Sequence, residues 1–107
     1  MCNFRMWYKS EEDVYVLQCV DCNTYQVRYR NAAFMFDTFT FTLFIEVVAN
    51  LYSRVLNKEI EAPVNVPTFN QGMEMLFDKS ALRQLHYLLD GADTEMKAAQ
   101  MTSLFYY

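Results

Sequence analysis

The chain has 107 residues, 53% of them hydrophobic and 17% aromatic, with only two Gly and two Pro and a net charge of −4 that includes nine Lys and Arg. That composition excludes a disordered, collagen-like or linker-rich protein and leaves a single domain, 1–107, able to bury roughly 60 to 70% of its unfolded surface. An acidic chain lacks the positive field that draws in polyphosphates and anionic bilayers, so neither nucleic acid nor a membrane is expected as a partner.

The N-terminal stretch MCNFRMWYKSEED has no basic segment followed by an apolar run. No signal peptide is expected, and no window is read as approaching the roughly 18 apolar residues of a membrane span. Three cysteines are an odd number, which fits reduced thiols better than a secreted disulfide framework, so the expected compartment is the cytoplasm.

The first strand is read at residues 13–19 (DVYVLQC), rich in β-branched and aromatic side chains. The second is at 24–30 (TYQVRYR), where Tyr25, Val27 and Tyr29 share one face and Thr24, Gln26, Arg28 and Arg30 the other. Between them VDCN supplies the turn formers Asp21 and Asn23, placing the CxxC of Cys19 and Cys22 at a β-hairpin tip. AAFMF continues as a short third strand after a turn at Asn31.

From Thr38 the period changes. Phe41, Phe44, Ile45, Val48, Leu51, Tyr52 and Val55 recur at steps of three and four, the buried stripe of a helix ending near Lys58. Pro63 and Pro67 restrict residues 60–69 to an extended edge or an irregular connection. GMEMLF reads as a further strand, and DKSALRQLHYLLDGA as a second helix with Leu82, Leu85, Leu88 and Leu89 inward and Gly91 as its stop signal. A last short helix is expected from Asp93, ending in the aromatic residues 105–107.

At an offset of 41 residues the two halves, 13–58 and 60–101, fall into register, with Phe36 over Phe77, Asp37 over Asp78, Phe41 over Leu82, Phe44 over Leu85 and Val48 over Leu89. Each half is then a strand, an acidic cap and an amphipathic helix. The expected fold is α+β, a mainly antiparallel sheet with two principal helices on one face, arranged as a pseudo-twofold β-β-α repeat or simply sharing the grammar of strand-to-helix transitions.

The run VLQCVDCNTYQVRYRNAAFMFD followed by an amphipathic helix, roughly residues 14–56, resembles a family of small uncharacterised proteins from the Bacteroidetes that carry a CxxC hairpin before such a helix. The resemblance implies no activity. Where that pattern has a Gly after the second strand, this chain has Arg30 and Asn31.

Two cysteines at a hairpin tip can present both sulfurs to one Zn²⁺ at about 2.3 Å, which is half of a closed structural site. Cys2 would be the third ligand and His86, Asp21 or a partner residue the fourth, since neither a second CxxC nor an HxxxH is present. The plainer reading makes Cys19 part of the inward face with Tyr15 and Leu17 and Cys22 a turn thiol. Redox chemistry is disfavoured, because a strand rather than a helix N-terminus follows the motif and Asp21 opposes thiolate formation. His86 beside Leu82, Leu85 and Leu89 reads as a core-edge residue, and Asp37 and Asp78 as helix caps rather than catalytic carboxylates. The tyrosines and arginines of 24–30 project from opposite faces, which speaks against an RNA platform.

Seven Met, eight Tyr and nine Phe exceed what a small core needs, with Met6, Trp7 and Tyr8 and residues 105–107 bracketing the chain. The expected role is therefore a non-enzymatic interaction or oligomerisation module, a homodimer or a partner's dock, with a structural CxxC hairpin and no cofactor. The alternatives are a zinc module on Cys2, Cys19, Cys22 and His86, and a small-molecule binder or enzyme with a pocket between sheet and helices.

Overall fold

The computed structural model describes residues 3–69 and 74–105. The chain runs β1 (Phe4–Glu11), β2 (Val14–Cys19), β3 (Thr24–Tyr29), β4 (Ala32–Phe36), α1 (Thr38–Leu56), β5 (Val64–Pro67), β6 (Glu74–Phe77) and α2 (Lys79–Phe105). The first four strands form an antiparallel meander in sequence order, and β5 and β6 pair as a separate antiparallel hairpin. This is the α+β fold expected.

Side-chain parity decides which face of the larger sheet is covered. Val16 pairs with Val27 and Val27 with Phe34, and all three are buried in one cluster with Val14, Tyr25 and Phe36. That same cluster holds Phe41, Phe44, Val48, Tyr52 and Val55 of α1 and Leu82, Leu85, Leu88, Leu89 and Ala92 of α2. Both helices thus lie on one face, α1 against β3 and β4 and α2 against β1 and β2. Tyr25 stacks on Phe41 at 4.4 Å and Phe36 on Phe44 at 4.6 Å between ring centres, so the sheet and α1 are joined by aromatic pairs, each fully buried ring contributing roughly 1.5 to 3 kcal/mol.

Both helices start on an aspartate, as expected. Asp37 Oδ1 accepts the Thr40 backbone N–H at 2.7 Å and the Thr40 hydroxyl at 2.7 Å, and Asp78 Oδ1 accepts the Ala81 N–H at 2.8 Å. The Thr40 backbone and hydroxyl hydrogen bonds hold the Asp37 carboxyl below its usual range. The helix-start correspondence at an offset of 41 holds at the apolar positions too, since Phe36, Phe41, Phe44 and Val48 are buried and so are Phe77, Leu82, Leu85 and Leu89. In element order β3-β4-α1 recurs as β5-β6-α2, although the two hairpins belong to different sheets. Of the GMEMLF strand, 74–77 is seen and Gly72 and Met73 lie outside the described residues.

Several expectations are corrected. Residues 4–11 form a strand, missed because β1 is an edge with only Trp7 partly buried and two register shifts that break its alternation. Gly91 does not stop a helix, and the short helix expected from Asp93 is the second half of α2. A Cβ at Gly91 would lie 2.7 Å from Tyr8 Cε1, so the missing Cβ is what lets the Tyr8 ring of β1 lie directly against α2. Tyr15, Leu17 and Cys19 do not face the core; Val14 and Val16 do. By length and composition alone, α1 is also apolar enough to cross a membrane, contrary to the sequence reading, and its buried stripe is packed in the core.

Candidate functional site

The CVDC turn is built around Asn23. Its backbone is left-handed, with φ 55°, which asparagine tolerates better than most residues. From that position its side chain bridges strand and helix. Gln18 Nε2 donates to Asn23 Oδ1 at 2.8 Å, and Asn23 Nδ2 donates to Thr38 Oγ1 at 2.9 Å. Trp7 Nε1 donates to Gln18 Oε1 at 2.9 Å, and Thr38 shares a hydrogen bond with the Tyr25 hydroxyl, whose pKa burial pushes up against that bond. One polar chain therefore joins β1, β2, the turn and the start of α1. The rest of the turn fastens β1, with Val20 N–H donating to the Asn3 carbonyl at 2.8 Å and Asn3 N–H to Asp21 Oδ2 at 2.9 Å.

Of the four candidate metal ligands, the three among the described residues, Cys19, Cys22 and His86, do not form one group. Cys19 is buried but outside the core cluster, opposite Phe4 of β1. Cys22 is exposed, its Sγ 3.2 Å from Thr24 Oγ1. His86 stacks on Tyr52 at 5.1 Å, with Tyr87 beside it, between the two helices. Cys2 lies outside the described residues. Among the described residues no group of three or more His, Cys, Asp or Glu could hold a metal ion.

At the other end of the meander Arg30 does the tying. Its Nη1 lies 2.7 Å from Glu11 Oε2 and 3.6 Å from Asp13 Oδ1, and its Nη2 donates to Gln84 Oε1 at 3.2 Å. Glu11 holds the guanidinium pKa above its usual value. Arg30 is left-handed, with φ 60°. The tyrosine and arginine parity is as read for Tyr25, Tyr29 and Arg28 but not for Arg30, which follows β3 in a left-handed turn and reaches Gln84 of α2 on the helix side, 5.7 Å from the Tyr29 ring centre.

The face turned away from the helices is the feature sequence reading did not locate. It carries three cross-strand rows, Phe4–Cys19–Thr24, Met6–Leu17–Gln26–Met35 and Lys9–Tyr15–Arg28–Ala33. Phe4 is 61%, Met6 46% and Met35 55% exposed, and Val20 stands exposed beside the first row. A solvated sheet face normally alternates to polar residues. Here β3 does so and β1, β2 and β4 do not. Two clefts also open on the core side. One of about 590 Å³ lies between the sheet and the C-terminal half of α2, lined by Trp7, Gln18, Tyr25, Met96, Gln100 and Leu104; the other, about 350 Å³, is lined by Tyr29, Arg30, Met75 and Phe77.

A family model described as a family of unknown function, DUF6686, matches residues 1–106, so the chain belongs to that family. No curated protein and no solved structure matches it.

Proposed function

We propose that this member of DUF6686 is a small protein-interaction or oligomerisation module of the reducing cytoplasm, and that its partner docks on the open face of the four-stranded sheet. The observation that carries the reading is the exposure of Phe4, Met6 and Met35 on a face that no helix covers. Leaving such side chains in water forgoes about 25 cal/mol for each Å² of apolar surface, which a docked partner would recover. The CVDC hairpin serves this role structurally: Asn23 and Asp21 tie β1 and the start of α1 to the turn.

Photo-crosslinking tests the reading. A benzoylphenylalanine at Met35, on the face, is expected to form discrete protein adducts in cells, and the same probe at Asn50, exposed on α1, is not. Adduct formation should disappear when Met6→Glu is added. Equal labelling from both positions, or none from Met35, overturns it.

A further inference from the structure

We infer that the partner is a second copy of the same chain, packed sheet to sheet about a twofold axis that runs parallel to the strands between β2 and β3. The inference rests on the docking reading above and names its occupant.

The registers of the meander make the open face self-complementary. The middle row reads Met6, Leu17, Gln26, Met35 from β1 to β4. It has the same apolar residue at both ends, so reversing it sets Met6 of one copy over Met35 of the other, and Leu17 over Gln26. In the next row, Lys9, Tyr15, Arg28, Ala33, the same reversal places Arg28 over Tyr15 of the second copy, twice, and Lys9 over Ala33. No cation meets a cation, and two guanidinium-on-ring contacts form. Arg28 is suited to this: its Nε donates to the Arg30 carbonyl at 2.6 Å, and it forms no ion pair among the described residues.

An axis along the rows instead would put Phe4 over Lys9 and turn the acidic β1–β2 turn, with Glu12 and Asp13, toward Asp21 of the second copy. The strand-parallel axis brings the two hairpin tips side by side, but each Asp21 is drawn toward the start of its own β1 by Asn3 N–H at 2.9 Å. The contact is isologous, residue i meeting j and j meeting i. Its size is adequate. Four strands about 4.8 Å apart and about six residues long make a face roughly 19 by 20 Å, which with side-chain relief offers on the order of 600 Å² per copy, about 1,200 Å² for the pair, at the lower end of specific interfaces.

Sedimentation equilibrium of the full chain provides the test, with the variants Met6→Lys, Met35→Glu and the double variant. Met6 and Met35 lie on opposite edge strands, about 14 Å apart across three strand spacings, so charges there cannot pair within one copy. The wild type is expected to be dimeric, with each single variant weakening association about tenfold or more. The double variant should recover most of the loss, because the ammonium introduced on β1 then meets the carboxylate introduced on β4 of the second copy. Circular dichroism confirms that each variant folds. A wild type that stays monomeric across the concentration series refutes self-pairing while leaving the docking reading to the crosslinking result. A dimer that neither single variant weakens places the self-interface elsewhere and refutes self-pairing on this face, again leaving the docking reading to the crosslinking result. A dimer weakened by the singles and not recovered by the double refutes this twofold.

Discussion

The role of the hairpin tip can be read from one side chain. Replacing Asn23 by alanine removes two hydrogen bonds, from Gln18 Nε2 and to Thr38 Oγ1, and forces a residue with a Cβ and no local hydrogen-bonding group to hold φ 55°. Each exposed hydrogen bond is worth roughly 0.5 to 1 kcal/mol, and the left-handed backbone costs alanine about 1 kcal/mol. Asn23→Ala should therefore destabilise the fold by about 2 to 3 kcal/mol. Asn23→Gly loses the same bonds but not the backbone preference, so it should cost about 1 kcal/mol less than alanine. Cys22→Ala, by contrast, should stay within about 0.5 kcal/mol, the usual range for an exposed substitution. Urea unfolding followed by far-UV circular dichroism, at one protein concentration because any self-association would feed into apparent stability, gives all three values. If Cys22→Ala costs as much as Asn23→Ala, or if alanine and glycine at 23 are equivalent, the turn is held by its thiols and the argument for Asn23 fails.

Gly91→Ala should gain about 1 kcal/mol of helix propensity in a Tyr8→Ala background but lose most or all of it in the wild type, where the new Cβ meets the Tyr8 ring at 2.7 Å; a double-mutant cycle in urea reads the difference. Asp37→Ala should lower the urea midpoint at pH 7, through loss of the helix cap. Because the folded carboxyl sits below its ordinary value of 3.8, its contribution is present above that pH and is lost as pH falls through the lower folded value. The gap between wild type and Asp37→Asn should close in that acid window, measured by urea titrations from pH 5 downward. Elemental analysis of protein prepared without chelator or affinity metal should find no stoichiometric zinc, and added chelator should leave the melting temperature unchanged; one zinc per chain with protected thiols would make the CVDC turn a metal site. Lys58→Gly should stabilise the end of α1 by up to about 1 kcal/mol, since Lys58 holds φ 59° just after the helix, a gain visible as a higher urea midpoint.

The legible parts of this fold are those where one period dominates. The stripe from Phe41 to Val55, the caps at Asp37 and Asp78, and the alternation of β3 are all local, and all three are in the structure. β1 was not legible because its register shifts put residues two apart, Met6 and Tyr8 and again Lys9 and Glu11, on opposite faces of a strand that buries little, so no period-two signal survives. Gly91 misled because its reason lies on β1, far away in sequence: the helix needs a missing Cβ there, not an end. The Asn23 bridge joins residues from three elements, and only the turn propensity of asparagine could have hinted at it.

The misassigned face of β2 is the most informative of these differences. DVYVLQC is apolar on both parities, so sequence alone leaves open whether Val14 and Val16 or Tyr15, Leu17 and Cys19 point inward. Register with β3 decides it, because Val16 pairs with Val27 and β3 has only one apolar face. Yet the outward set is no less hydrophobic for having lost the core. A strand selected only to cover one core has no reason to carry Leu17 and Cys19 on its other side, and β1 and β4 repeat the pattern with Met6 and Met35. Burial on both faces is the usual condition of strands that read as near-continuous apolar runs. Within one copy no helix covers the second face of β2, and on the proposal made above the layer that completes it is a second copy, which the order Met6, Leu17, Gln26, Met35 suits.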